Sequence, residues 1–310
     1  MTRIIISEFM DQAAVDGLAR DFDVLYDPDL VDRPDELLRA VGPARGLIVR
    51  NRTQVRGALL DSTPDLRVVG RLGVGLDNID LDACAARGIE VCPATGANDA
   101  AVAEYVIATA LILLRGAYDA GPRVIAGDWP RQACMGGEAG GKIMGLLGFG
   151  GISRQVAARA TALGMSVVAH DPFVAADDPA WNEAGNREFD ALLAEADVLS
   201  LHVPLTEGTR NVIDGAAVAA MKPGAILIDT ARGGVVDEAA VITALRDSRL
   251  GGAAFDVFAD EPVGAEAGAT FAGVPNLILT PHIAGVTRES NVRVSAVTAE
   301  NVRRVLSEEA

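Results

Sequence analysis

Three residues far apart in the chain carry a charge or a titratable ring where apolar runs end: Arg232 after "AILIDTA", Glu261 in "FDVFADEP" and His282 after "LILTP". Each run reads as a buried strand, and open α/β sheets gather ligands at the carboxyl ends of their strands. Imidazole exchanges a proton near neutral pH, which is what an alcohol oxidation needs when a hydride leaves the same carbon. A carboxylate beside it would raise its pKa and fix its tautomer. A guanidinium fork would grip a substrate carboxylate and polarise the adjacent carbonyl. Arg232 in particular calls for an anionic partner, because an uncompensated guanidinium in a poorly hydrated crevice is costly. Taken singly the three have plainer explanations: a surface arginine, a loop acid and a core histidine. His202 in "LHVPLT" stands at another strand end as a rival proton carrier.

A second signal is glycine-rich. "GLLGFGGIS" places Gly148, Phe149, Gly150, Gly151, Ile152 and Ser153 directly after an apolar strand and before the helix-like "ISRQVAARATAL". Gly148 permits a tight turn, and Gly150 lets the backbone approach a pyrophosphate seated on the helix N-terminus. Ser153 departs from the usual third glycine but is small enough for helix-to-strand packing. The next strand, "MSVVAHD", ends at Asp171, about twenty residues on, where an acid would bond the adenine ribose 2′-hydroxyl. No arginine follows closely to hold a 2′-phosphate, so NAD is expected rather than NADP.

These groups need a scaffold, and the alternation of apolar runs and amphipathic stretches supplies one. "RIIIS", "DVLY", "GLIVR", "RVVGRLG" and "IEVCPA" predict a five-stranded parallel sheet. "ATGANDAAVAEYVIATALILLRG" then breaks the rhythm as one long helical segment, which places a hinge near residues 95 to 100. A second βα series, from "GKIMGLLGFGGIS" through "MSVVAHD", "DVLSLHVP", "AILIDTA", "GGAAFDVF" and "NLILTPH", predicts six parallel strands of a dinucleotide-binding domain. "RESNVRVSAVTAENVRRVLSEE" is an amphipathic helix with no further strand to feed, and it is expected to cross back to the first domain after a second hinge near Gly285. The fold class is therefore α/β with two doubly wound parallel-sheet domains. A Rossmann NAD-binding domain (97–285) is inserted in a flavodoxin-like substrate domain (1–96, completed by the helix in 286–310).

Composition narrows the function. The chain has 310 residues and a net charge of −16, which argues against nucleic acid or an anionic membrane as partner. Cys84, Cys92 and Cys134 are too few and too scattered for a disulfide framework or a zinc site, so no metal is expected and a reducing cytoplasm fits best. "MTRIIISEFMDQ" lacks the apolar core of a signal peptide, and "YVIATALILL" is too short to span a bilayer. Lysine occurs only at Lys142 and Lys222, neither in a nucleophile context.

The motifs in order, "GVGLDNIDL", "GANDAAVAEYVIA", "GDWPRQACMGGEAGGKIMGLLGFGGIS", "LHVPLTEGTRNVI", "MKPGAILIDTARGGVVDEAAV", "AAFDVFADEP" and "TPHIAG", resemble those of the D-isomer-specific 2-hydroxyacid dehydrogenases over nearly the whole chain. The resemblance implies that Arg232 binds substrate, Glu261 partners the histidine and His282 is the acid/base. It implies that His202, Thr230, Ala231, Asp256 and Gly285 line the nicotinamide side, with Val203, Pro204, Thr209, Arg232 and His282 as further cofactor contacts. Gly151, Ile152, Asp171 and Pro172 would line the adenosine and phosphate side, Gly148, Phe149 and Gly150 would also bind the cofactor, and the backbone at Gly73-Val74-Gly75 would cradle the substrate carboxylate. A homodimer is implied too, with "GDWPRQACMGGEAG" as the arm that embraces the partner's cofactor domain.

Arg50 and Arg52 in "VRNRTQV" follow a strand, and i, i+2 spacing on an extended segment points both side chains the same way. The stretch resembles the Arg-x-Arg-Thr that phosphoglycerate dehydrogenases use against phosphate. A small anionic 2-hydroxy or 2-oxo acid with a second anion at C3, of 3-phosphoglycerate or sulfolactate type, is the expected substrate. Glyoxylate or hydroxypyruvate reduction is the alternative within the family, and an NAD-binding corepressor without turnover the alternative of another class. Asp99 and Tyr105 depart from the more frequent Thr and His around Asn98.

Overall fold

The structure, a computed structural model, describes residues 2–308. The chain divides into two compact units, one of Met1–Asn98 with Val286–Ala310 and one of Asp99–Gly285.

The first unit is a sheet of five parallel strands: β1 (Arg3–Ile6), β2 (Asp23–Tyr26), β3 (Gly46–Val49), β4 (Val68–Arg71) and β5 (Glu90–Pro93). Their order, β2-β1-β3-β4-β5, is the flavodoxin-like one, with its switch point between β1 and β3. Helices cover both faces, which is why the strands are continuous apolar runs. Ile4 and Ile6 pack with Val302 and Leu306 of the helix Arg288–Ser307, while Ile5 faces Leu37 and Val41 on the other side. Each such burial stabilises by about 1.5–3 kcal/mol. The helix Arg288–Ser307 starts at a capping box, with Thr287 accepting the Ser290 amide at 2.9 Å, and packs against β4, β5 and the helix Gln12–Leu18.

The second unit has seven parallel strands, one more than the apolar runs predict: β6 (Ile143–Leu147), β7 (Ser166–His170), β8 (Gly185–Asn186), β9 (Val198–Leu201), β10 (Ile226–Asp229), β11 (Gly252–Phe255) and β12 (Leu277–Leu279). The additional strand, β8, pairs Gly185 and Asn186 with Val168 and Ala169 of β7 and has no apolar residue to announce it. The order β12-β11-β10-β9-β6-β7-β8 puts the switch point between β6 and β9. The helix Asp99–Arg115 opens this unit and packs on the helix Gly151–Ala162 and on β10 and β11. It buries Val102, Val106, Ala110 and Leu113 at helical spacing, leaving Leu111 and Ile112 exposed. Its apolar run therefore serves a core face and an outer face together.

Candidate active site

At the switch point of the second unit, β6 is followed by Gly148 with φ of 86°, the left-handed region open to glycine. A Cβ there would lie 2.6 Å from the His202 carbonyl oxygen, so the glycine also lets β6 turn beneath the segment leaving β9. Gly148 N donates to the His170 carbonyl at 2.8 Å, which ties the turn to the end of β7. The Asp171 carboxylate holds the same turn, accepting the Phe149 amide at 2.8 Å and the Phe173 amide at 2.9 Å. Each carboxylate oxygen keeps acceptor capacity for a hydroxyl. Ser153, in the place of the third glycine, is buried and donates to the Gly148 carbonyl at 2.6 Å, so its hydroxyl reinforces the turn. The twelve-residue helix Gly151–Ala162 is capped by Gly150 without a side-chain bond. That leaves first-turn amides and the positive end of the helix dipole for an anion, as a dinucleotide pyrophosphate requires. Asp99 places its carboxylate in the space a Cβ on Gly151 would need, and burial raises its pKa.

Around this turn lie the other expected cofactor positions. Val203 and Pro204 leave β9 beside Gly148, and Thr209 closes their loop by donating to the Pro204 carbonyl at 2.6 Å. The buried Oγ1 of Thr230 has no hydrogen-bond partner among the described residues, and a buried hydroxyl without one is a place for a ligand's polar group. Pro172 follows Asp171 on the surface, and Gly285 closes the unit.

The carboxyl ends of β10, β11 and β12, adjacent in the sheet, carry the three candidate catalytic residues. His282 Nδ1 lies 2.7 Å from Glu261 Oε2, and Glu261 Oε1 accepts the Phe258 amide at 3.0 Å. The pairing assigns the Nδ1 proton to the bond with Glu261 and leaves Nε2 as the nitrogen that exchanges a proton. Arg232 follows β10 and bonds its own neighbour, Nη1 donating to the Ala231 carbonyl at 2.6 Å. Behind it a Cβ on Gly233 would fall 1.6 Å from the Phe258 carbonyl oxygen, so this glycine packs the Arg232 turn directly on the loop bearing Glu261. Beneath, burial pushes the Asp229 carboxyl up to about 8 despite the Ala231 amide it accepts at 2.8 Å. Raised in this way, it places less negative charge below Arg232 than an ordinary carboxylate would.

The other two histidines are placed for different work. Burial holds the His202 imidazole down at about 3, and its Nε2 lies 3.0 Å from Ser200 Oγ, so this ring stays neutral and is unsuited to carry a proton near pH 7. His170 Nδ1 sits 2.8 Å from the Arg187 carbonyl, which can only accept, and so holds a structural bond.

In the first unit, Arg50 and Arg52 do not share a direction, contrary to the reading of an extended segment. Residues 50–53 wrap around the carboxylate of Glu8, which accepts the amides of Arg50 (2.9 Å), Asn51 (3.3 Å), Arg52 (3.1 Å) and Thr53 (3.0 Å). Successive amides turned inward in this way form an anion nest, here filled by a buried residue at the switch point of the sheet. The curl sends Arg50 Nη2 to Asn291 Oδ1 at 2.8 Å and pairs Arg52 with Asp32. Burial lowers the Arg50 pKa against the opposing pull of Glu8, whereas the hydrogen bond to Asp32 raises that of the exposed Arg52. The turn Gly73-Val74-Gly75 follows β4, with Gly73 N bonded to the Arg71 carbonyl at 2.8 Å and Val74 exposed. Glu8 is a positioning residue that sequence reasoning missed; its place directly after the first apolar run was the available signal.

Residues 107–284 match the family described as D-isomer specific 2-hydroxyacid dehydrogenase, NAD binding domain. Over 307 residues the chain is 58% identical to an (S)-sulfolactate dehydrogenase of Chromohalobacter salexigens, covering 99% of each. It is 36% identical to a D-3-phosphoglycerate dehydrogenase of Synechocystis sp., covering 99% of this chain and 54% of that one. Among solved structures, a D-lactate dehydrogenase of Aquifex aeolicus complexed with NAD and lactic acid superposes with a TM-score of 0.86 at 28% identity, covering 99% of this chain and 96% of that one. Fold, glycine turn and relatives agree: the chain belongs to the NAD-dependent D-isomer specific 2-hydroxyacid dehydrogenases.

Proposed function

We propose that this enzyme interconverts a 2-hydroxy acid carrying a second anion at C3, of sulfolactate type, with its 2-oxo acid. The His282–Glu261 pair at 2.7 Å is the observation that carries the chemistry. His282 Nε2 takes the hydroxyl proton as the C2–H bond breaks, and Glu261 stabilises the imidazolium through Nδ1–H. Arg232 binds the substrate carboxylate as a fork and draws charge from the carbonyl as it forms. Bound NAD supplies the hydride acceptor at its nicotinamide ring. The Gly148–Ile152 turn and Asp171 would hold its phosphates and ribose, with Thr230 and Asp256 as the expected contacts toward the nicotinamide end.

The sulfolactate reading is supported by the 58% identity to the Chromohalobacter salexigens enzyme and by the two arginines after β3. Of these, Arg50 is assigned the C3 anion, since it bonds the neutral Asn291 amide whereas Arg52 already has Asp32 as counter-ion. The test is NAD reduction with sulfolactate, 3-phosphoglycerate, glycerate and lactate side by side. Sulfolactate is expected to have the highest kcat/KM. Arg50→Ala should raise KM for the two doubly anionic acids by about ten- to a hundredfold, the worth of one charge-assisted hydrogen bond. Arg52→Ala should do less. Equal losses on lactate and sulfolactate would count against a C3-anion site at Arg50.

A homodimer in the cytoplasm is part of the same proposal. Ile125, Trp129 and Met135 are 88%, 75% and 79% exposed on one segment, a concentration of apolar surface that suits a subunit contact. The expected solution mass is twice the 32.1 kDa of one chain, and a sedimentation profile at a single chain's mass would overturn it. Three free cysteines suit a reducing compartment.

A further inference from the structure

Midway along the helix Asp99–Arg115, Tyr105 reaches the segment that ends in His282. Its hydroxyl lies 2.6 Å from Thr280 Oγ1, and Thr280 Oγ1 lies 2.6 Å from Asp256 Oδ1. A carboxylate has no proton to give, so Thr280 donates to Asp256; its one proton is then committed, and the phenol must donate to Thr280. Burial raises the phenol's pKa, which keeps it a donor. Beyond the threonine, the buried Asp256 carboxylate accepts the amides of Ile283 at 2.8 Å and Ala284 at 2.7 Å. Its backbone carbonyl accepts the His282 amide, also at 2.8 Å. The residues after Pro281 thus hang on one aspartate, which is itself oriented from behind by a two-hydroxyl chain.

His282 needs such an anchor. Its φ of 55° lies in the left-handed region, which a residue with a Cβ keeps only where its surroundings over-determine it. The Glu261 contact fixes one edge of the ring, while the backbone beneath it is held by the bonds to Asp256 and by the His282 amide's second contact, to the Thr280 carbonyl at 3.0 Å.

We propose that Tyr105 is a positioning residue for the reaction: by donating to Thr280 it fixes Asp256 and, through Asp256, the backbone that aims the His282 ring. This rests on the reading of His282 as the acid/base. The Tyr105 hydroxyl bonds Thr280 rather than the imidazole, so its effect is on the alignment of proton transfer. Small errors in such alignment are expensive in rate while leaving binding largely intact.

Tyr105→Phe removes one oxygen and keeps the packing of the ring. Its kcat is expected to fall about tenfold, the cost of one lost hydrogen bond read at the transition state, with the acid's KM little changed. The solvent deuterium isotope effect on kcat should rise as proton transfer becomes limiting. Thr280→Val should lose as much, Thr280→Ser should keep wild-type turnover, and the Tyr105→Phe/Thr280→Val double variant should be no worse than the poorer single one, because both break the same chain. A Tyr105→Phe enzyme with wild-type kcat and isotope effect, or losses that multiply in the double variant, would overturn the proposal. His282→Gln assayed alongside separates the two readings. If it remains active, the acid/base role fails; if it is dead while Tyr105→Phe is unimpaired, only the tyrosine's role falls.

Discussion

His282→Gln is expected to lower kcat by about three orders of magnitude while NADH binds as tightly as to the wild type, the span typical of a lost general acid/base. Glutamine approximates the reach of the imidazole and can donate its amide N–H to the Glu261 carboxylate, so the site keeps its shape and loses its proton carrier. Because the missing interaction exists only in the transition state, kcat and kcat/KM should fall together. Glu261→Gln should fall less, since the ring would keep Nε2 and lose only the charge that orients and stabilises its protonated form. Steady-state kinetics beside fluorescence titration of NADH checks both. A large loss of NADH affinity, or turnover within an order of magnitude of the wild type, would contradict the role given to His282.

Arg232→Ala ranks second in size. The guanidinium follows β10 on a turn that Gly233 presses against the Phe258 carbonyl, so its position is set by the same loop that carries Glu261. In the role proposed for it, removing it would delete a two-pronged charge-assisted contact to the substrate carboxylate, and kcat/KM should drop by about a hundred- to a thousandfold for every 2-hydroxy acid. Arg232→Lys should recover only part of this, because an ammonium keeps the charge without the planar fork. The loss should be alike for lactate and sulfolactate, which share the C1 carboxylate, and this separates Arg232 from Arg50. An Arg232→Ala enzyme whose loss is confined to acids with a C3 anion would reverse the two assignments.

Most of the scaffold is legible in the sequence for a definite reason: both faces of each sheet are covered, so strands such as "RIIIS" and "AILIDTA" are unbroken apolar runs ended by polar residues. β8 escapes that logic because Gly185 and Asn186 bury nothing that hydropathy can register. Histidines at strand ends cannot be ranked by position alone. His202 and His282 differ only in surroundings, one desolvated beside Ser200 and one against a carboxylate, and both surroundings are tertiary. Arg50 and Arg52 diverge because i, i+2 spacing aligns side chains only on an extended chain, whereas Glu8, more than forty positions earlier, gathers four successive amides and curls it. Ser153, a weakness in the glycine pattern as read from sequence, proves to be a hydrogen-bond donor to the turn. The left-handed conformation of His282 and the hydroxyl chain behind it carry no sequence signature at all.

Isotope transfer tests the central claim, direct hydride movement between the acid's C2 and nicotinamide with His282 handling the proton, most directly. Sulfolactate bearing deuterium at C2 is oxidised with NAD, and the NADH is recovered and weighed by mass spectrometry. The expected product carries one deuterium on the nicotinamide ring per turnover, formed more slowly than from the unlabelled acid. Unlabelled NADH, with the deuterium released to water, would contradict it.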